Sequence, residues 1–173
     1  LSRNSIAQID NRTFSNVNKL IYLDLSDNRI VNLSIECFAG LGKLLHLDLS
    51  SNNLTVLPDA VFQPLISLQK LNLSSNALEA LCEKSFSSLP MLQQLDVSYN
   101  KLTSVAPGTL QFLPNLAKLL LADNPQLRPD AQIFVGTGRR LQQVDASRTG
   151  LSQVPEALTH SVRYLTLAGN RIA

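Results

Sequence analysis

The sequence predicts an α/β repeat solenoid, in which similar coils stack side by side and each coil adds one short strand to a parallel sheet. Three observations support this fold. Asparagines recur every 24 residues from Asn4 to Asn124, the same spaced leucines precede the five from Asn28 onwards, and a large apolar residue follows ten positions later. Such agreement at several offsets is not a product of chance composition.

The predicted strand of each coil lies in the segment L-x-x-L-x-L. One coil cannot bury its own leucines, whereas stacked coils bury them in a continuous interior. Two irregular copies follow the five complete ones, with Thr149 in the place of one asparagine. The copies are Leu20/Leu23/Leu25, Leu44/Leu47/Leu49, Leu68/Leu71/Leu73, Leu92/Leu95/Val97, Leu116/Leu119/Leu121, Leu141/Val144/Ala146 and Val162/Leu165/Leu167.

The repeated asparagine follows each strand at a sharp bend, where backbone groups cannot pair within the sheet. An inward amide carries a donor and an acceptor, so it can bond to the loops of its own coil and of the next. Thr149 offers only a hydroxyl, and we expect a locally different turn there. The predicted structural ladder consists of Asn28, Asn52, Asn76, Asn100, Asn124 and Asn170.

The residues ten positions past the asparagine predict a spine of packed side chains under the convex side. Large apolar groups at a fixed place in each coil indicate core rather than a ligand site. They are Phe14, Phe38, Phe62, Phe86, Leu110 and Phe134.

In these motifs the chain resembles the extracellular leucine-rich repeat proteins with 24-residue units. The resemblance implies a curved horseshoe with a parallel β-sheet on the concave face and mostly irregular or short helical turns on the convex face. Residues 1–173 are then expected to form a single solenoid of about eight units, the terminal ones incomplete. Relatives close both ends with cysteine-rich caps, which this chain lacks, so we expect it to be an internal part of a longer ectodomain.

Side chains alternate across a strand, so the x positions of the motif face outward onto the concave surface. Most are polar, but towards the C-terminus Leu120 replaces an aspartate, and Ala122 and Ala168 replace serines. Aromatic and arginine residues, which are favoured at interfaces, also occur there. The predicted partner-binding residues are Tyr99, Lys118, Leu120, Gln143, Arg148, Arg163 and Tyr164. Ordinary drift within a repeat is the alternative explanation.

Four N-x-S/T signals predict glycosylation at Asn11, Asn32, Asn53 and Asn72. All four lie in the first 74 residues, which favours the secretory pathway and an extracellular or cell-surface location. Chance sequons in a repeat rich in asparagine and serine are the alternative. Because Asn72 faces the concave surface, a sugar there would direct partners towards the C-terminal strands.

Other chemistry is not predicted. The net charge is only +2 with scattered basic residues, which argues against nucleic acid, and no apolar run approaches the roughly 18 residues that span a bilayer. Asn72 interrupts the aspartate column that would hold a cation, His46 and His160 lack catalytic partners, and Gly136-Thr137-Gly138 indicates a turn rather than a phosphate cradle. We therefore expect no enzyme activity, no metal and no cofactor.

The two cysteines, Cys37 and Cys82, lie in coils two apart. Two strand spacings separate their Cα atoms by about 10 Å, beyond the reach of about 7 Å for a disulfide. We expect two free, largely buried thiols. An intermolecular bond is the alternative.

The resemblance implies a non-enzymatic protein-binding module, the ectodomain of a cell-surface receptor or adhesion protein that recognises a protein ligand or co-receptor. A secreted, matrix-type protein that associates with itself, as a homodimer for example, is one alternative. An innate immune recognition receptor is another.

Overall fold

The computed structural model describes residues 1–128, 131–134, 137 and 140–173. Within these residues its main element is a parallel sheet of seven strands, one for each L-x-x-L-x-L segment, in chain order across the sheet. The strands are β2 (Tyr22–Asp24), β4 (His46–Asp48), β5 (Lys70–Asn72), β7 (Gln94–Asp96), β9 (Lys118–Leu120), β10 (Gln143–Asp145) and β11 (Tyr164–Thr166). The predicted solenoid fold is confirmed.

The strands pair without any slip in register, so equivalent residues of successive coils lie side by side. Leu47 pairs with Leu23 on one side and with Leu71 on the other. The equivalent residues of the later coils pair in the same way, as far as Val144 and Leu165. Each central residue from β2 to β10 is buried. Leu165, in the edge strand β11, is 38% exposed, whereas Leu23 in the opposite edge strand β2 is buried.

The rest of each coil contains little regular structure, as predicted. Two further ladders of two strands each lie beside the main sheet, pairing β1 (Gln8–Ile9) with β3 (Asn32–Leu33) and β6 (Ala80–Leu81) with β8 (Ser104–Val105). Among the described residues, four short helical segments complete the coils: α1 (Glu83–Phe86), α2 (Glu156–Thr159), and the 3₁₀ turns Thr109–Phe112 and Ala131–Phe134. The sequence did not predict the two smaller ladders.

The interior is filled by the repeated leucines on one side and the aromatic spine on the other. Phe38 stacks on Phe14 and Phe62 with ring centroids 6.5 and 6.1 Å apart, and Phe62 meets Phe86 at 6.0 Å. All four rings are buried. The spine is core, as the sequence indicated.

The asparagine side chains join neighbouring coils at the bends. The amide nitrogen of Asn52 donates to the carbonyls of Leu49 and Ser50 in its own coil and of Leu25 in the preceding one, at 3.0–3.1 Å. Its Oδ1 accepts from the Ile30 amide at 2.9 Å. The same pattern recurs at Asn28, Asn76, Asn100 and Asn124.

A second column, immediately before the asparagines, adopts a left-handed backbone. Its N–H groups donate to a carbonyl of the next coil, as Ser75 does to Ser98 at 2.9 Å. A non-glycine residue pays roughly 1–2 kcal/mol for this conformation, which the inter-coil hydrogen bonds offset. The column comprises Arg3, Asp27, Ser51, Ser75, Tyr99, Asp123 and Arg148, followed by Gly169.

The bend at Thr149 does differ from the others. Its hydroxyl donates to Ala146 at 2.8 Å, as an asparagine would, but also lies 3.2 Å from Oδ1 of Asn170. That oxygen accepts from the amides of Thr149 and Leu151 as well. Gly150 follows with φ 77°, a left-handed turn residue that the regular coils lack at this position.

The cysteines are not paired, but only one is buried. Cys37 is fully enclosed, and this burial raises the pKa of its thiol to about 12. Cys82 is exposed, so the expectation of burial was wrong for it. It follows the inward-facing Leu81 and has extended backbone at the start of α1, so its side chain points outward.

None of the helices among the described residues is long and apolar enough to cross a membrane.

Replacing Asn52 by alanine should destabilise the fold strongly, because the buried amide of Ile30 and the carbonyl of Leu25 lose their partner. Each buried group left unpaired costs about 1–3 kcal/mol, so we expect a loss of about 2–5 kcal/mol in denaturant unfolding. The neighbouring Asn53→Ala, at an exposed position, is the matched control and should change stability by less than about 0.5 kcal/mol. Equal effects of the two substitutions would contradict the ladder's role.

The two thiols should differ sharply in reactivity. A thiol reagent at pH 8 should modify Cys82 within minutes, and Cys37 only when the chain unfolds, since the thiolate is the nucleophile and burial keeps Cys37 protonated. Mass spectrometry should find one label per native chain and two per denatured chain. Rapid double labelling of the native chain would be inconsistent with a closed interior at Cys37.

Candidate functional site

The concave face is lined by a column of acidic or amide side chains, each of which closes a small turn at the end of its strand. Oδ1 of Asp48 accepts from the backbone N–H and the hydroxyl of Ser50 at 2.9 and 2.6 Å. The hydroxyl of Ser26 likewise lowers the pKa of Asp24. The turn recurs at Asp96 and Asp145. These carboxylates are therefore fixed in position on the surface.

Asn72 occupies the same column and makes the same turn. Its Oδ1 accepts from the Ser74 amide at 3.1 Å, while its amide nitrogen donates to Asp48 Oδ2 at 3.1 Å. Replacing aspartate by asparagine in D-x-S creates a sequon automatically, so the Asn72 signal has a structural explanation besides glycosylation. The side chain is half-buried and faces the concave surface, as predicted.

A small hollow surrounds Asn72 on the N-terminal half of this face. Its volume is about 210 Å³, and its lining includes Tyr22, His46 and Lys70. His46 meets Tyr22 edge-to-face with ring centroids 5.9 Å apart. A sugar on Asn72 would cover this hollow.

A larger concavity, the C-terminal groove, occupies the other half of the face. It measures about 520 Å³. Asp96, Leu120 and Asp145, which are direct register partners, form its floor, and the buried Ala122 continues the floor towards the bends. The groove coincides with the point where apolar residues replace the polar columns. Its full lining also contains Ser74, Ser75, Ser98, Tyr99, Asp123, Ser147, Arg148, Thr166 and Ala168.

One wall of the groove is a hydrogen-bonded cluster from the left-handed column. Arg148 donates Nε and Nη2 to the two carboxylate oxygens of Asp123, both at 2.6 Å. This lowers the pKa of Asp123, with a smaller contribution from the Tyr99 hydroxyl. The pair's contribution to stability is therefore present above the ordinary aspartate pKa of about 3.9 and is lost as pH falls through the lower folded value.

Gly169 makes room for this arrangement. It has φ +70°, and a Cβ added there would lie 2.7 Å from Cγ of Arg148. The stem of Arg148 thus lies across the next coil while its guanidinium reaches back to Asp123. Tyr99 remains 58% exposed beside the pair.

Six of the seven predicted partner-binding residues fall into two groups. Tyr99, Leu120 and Arg148 meet around the groove. Lys118, Gln143 and Tyr164 form a separate concave column in direct register beside it, whereas Arg163 precedes β11 and lies outside both sets. Asp123 was not predicted from the sequence, although a signal was present. Tyr99, Asp123 and Arg148 share the position before the ladder residue, which indicates contact between adjacent coils.

The three other sequons lie away from the concave sheet. Asn11, Asn32 and Asn53 are all exposed. Asn32 belongs to the lateral strand β3, and Oδ1 of Asn11 accepts from the Glu36 amide at 3.2 Å. Any sugars on them would leave the C-terminal groove uncovered.

Within the described residues, no group of three or more histidine, cysteine or acidic side chains could hold a metal ion. His160 contacts only local groups among the interactions described, at Thr159 and Glu156. Gly136 and Gly138 of the predicted turn lie outside the described residues.

The leucine rich repeat family model matches the chain in four overlapping segments, residues 1–54, 22–78, 42–102 and 66–125. Together these cover more than half of the sequence. The chain belongs to the leucine-rich repeat family. Proteins of this family are generally non-enzymatic binding modules, and the predicted family is correct at this level. No curated protein matches the chain in sequence.

Two solved leucine-rich repeat structures illustrate the similarity. A crystal structure of a TLR13–ssRNA13 complex superposes with a TM-score of 0.87 at 29% identity, covering 98% of this chain and 24% of that one. The functional domain of InlJ from Listeria monocytogenes, which includes a cysteine ladder, superposes with a TM-score of 0.71 at 25% identity. The match covers 99% of this chain and 34% of that one. This chain thus spans less than two thirds of either. The RNA in the first structure means that excluding nucleic acid is not supported.

Proposed function

We propose that this chain is a protein-recognition module of a cell-surface receptor or adhesion protein, and that it binds a protein ligand or co-receptor through the C-terminal groove. One observation carries the proposal. The apolar substitutions at Leu120 and Ala122 coincide with the largest concavity described on the concave face and with the hydrogen-bonded Tyr99–Asp123–Arg148 wall. Buried apolar anchors inside a polar rim are typical of protein interfaces.

The charge of the groove favours a protein over a nucleic acid at this position. Its lining contains Asp96, Asp123 and Asp145 against a single arginine, whose charge Asp123 already pairs. Phosphates would be repelled there, since nucleic-acid binding depends on clustered lysine and arginine.

The extracellular location belongs to this proposal as well. It rests on the exposure of Asn11, Asn32 and Asn53 on faces where sugars can be accommodated. Asn72 is weaker support, because the same asparagine serves the turn. Protein secreted from a eukaryotic host without sugar at any of the four sites would count against the location.

Innate immune recognition is the second candidate. The similarity to the TLR13–ssRNA13 structure favours it. Single-stranded RNA should then bind with a steep loss of affinity as salt rises, and by a surface other than the acidic groove. A secreted, self-associating matrix-type role is a third alternative. Light scattering would reveal the self-association as a molecular mass that rises with protein concentration.

The D-x-S turns allow a glycan to be placed in the groove without disturbing the fold. Asp145→Asn creates an N-x-S signal with the native Ala146 and Ser147, and Asn72 already shows that asparagine keeps this turn. A sugar there should reduce binding to a partner, found in an arrayed library of extracellular proteins, by at least about tenfold through steric exclusion. The matched control is Asp24→Asn, which creates the same signal at the far end of the same column.

Mass spectrometry would verify occupancy of both engineered sites. Peptide N-glycosidase removes the sugar and leaves aspartate, so it regenerates native Asp145 and should restore binding. Unchanged affinity with a fully glycosylated Asp145→Asn variant, or failure of the native chain to bind any extracellular protein, would contradict the proposal.

A further inference from the structure

The C-terminal groove combines an apolar floor with an excess of negative charge, and this combination constrains what can fill it. Leu120 lies between Asp96 and Asp145 in direct register. Strands are spaced about 4.8 Å apart, so the two carboxylates stand about 10 Å from each other with the leucine midway. A group placed above Leu120 is therefore close to both.

The two carboxylates are only partly satisfied. In each, Oδ1 accepts from the turn serine, Ser98 or Ser147, at 3.0 Å. Among the described residues, no side chain or backbone group donates to the second oxygen of either. Asp48 differs in this respect, because Asn72 donates to its second oxygen. The free acceptors of Asp96 and Asp145 therefore flank Leu120, whereas Asp24 lies at the N-terminal end of the column, away from the groove.

The neighbouring cations do not neutralise the groove. Arg148 is already held by Asp123 through two hydrogen bonds. Lys118 lies two residues before Leu120 on the same strand, about 7 Å away, in the column outside the groove. Because the positive charge of Lys118 repels other cations, a basic side chain enters the groove more favourably from the Ala122 side.

We propose that the groove binds a protein partner through an arginine or lysine whose aliphatic stem packs on Leu120 and Ala122 and whose charged end lies between Asp96 and Asp145. This inference rests on the proposed function and specifies the chemistry of its partner. Long basic side chains bury an apolar stem while keeping the charged end in a polar setting, which matches an apolar floor flanked by carboxylates. The charge complementarity also orients the partner and speeds its association.

A random 12-residue peptide library displayed on phage tests the inference, with the full chain produced in a host that does not N-glycosylate. Selected peptides should be enriched in arginine or lysine next to an apolar residue. Their affinity should fall as NaCl rises from 50 to 300 mM, because the contact is largely electrostatic. The library is the probe, so no natural partner is needed.

The deciding comparison is between two double variants of the same column. The double substitution Asp96→Asn and Asp145→Asn should lower the affinity for the selected peptides by at least about fivefold. It should also make that affinity less dependent on salt concentration. Asp24→Asn with Asp48→Asn makes the same chemical change outside the groove and should alter affinity less than twofold. Both pairs keep the turn acceptor, as Asn72 does, and circular dichroism would verify folding.

Three outcomes would overturn the inference: no enriched peptide, enriched peptides without excess basic residues, or equal losses in the two double variants. Leu120→Gln separates this failure from failure of the proposed function. If the selected peptides are not basic but Leu120→Gln lowers the affinity for them, the groove still binds protein and only the inference of a basic anchor fails. If Leu120→Gln has no effect on any selected peptide, the groove is not the binding surface and both proposals fail.

Discussion

Hydrogen bonds from the inward asparagines hold successive coils of this solenoid together and in register. A strand of three residues contributes few ladder hydrogen bonds, and the chain must then turn sharply away from the sheet. The buried amide of Asn52, with four bonds to two coils, satisfies the groups that the turn exposes. Repetition of this arrangement fixes the distance and register between coils, so that leucines stack on leucines and rings on rings.

The functional surface follows from the same constraint. Because register is maintained from Tyr22 to Tyr164, a residue at one place in the repeat becomes one point in a column across the concave face. A single substitution such as Leu120 then changes one point of that column without moving its neighbours. The left-handed column extends the surface beyond the strands and carries the Asp123–Arg148 pair. Recognition can thus vary along the chain while the core stays constant.

Much of this could be predicted from the sequence, because period and alternation determine which side chains point inward. The ladder, the phenylalanine spine and the order of the concave columns all follow from spacing. The left-handed backbone at Ser51, Ser75 and Tyr99 could not be predicted, since these residue types do not favour it and only inter-coil hydrogen bonds enforce it. The exposure of Cys82 was missed because it depends on the local path of a turn rather than on the repeat. The Asp123–Arg148 contact was missed although the two residues occupy the same position of adjacent repeats.

Site-specific photo-crosslinking would show whether a protein partner contacts the C-terminal groove. Benzoylphenylalanine would replace Leu120 on the groove floor in one protein and Val56 in another, a side chain 61% exposed and outside the concave strands. With a partner bound, position 120 should form a crosslinked adduct and position 56 should form none. An adduct from position 56 without one from position 120 would place the contact elsewhere and contradict the proposed binding at the groove.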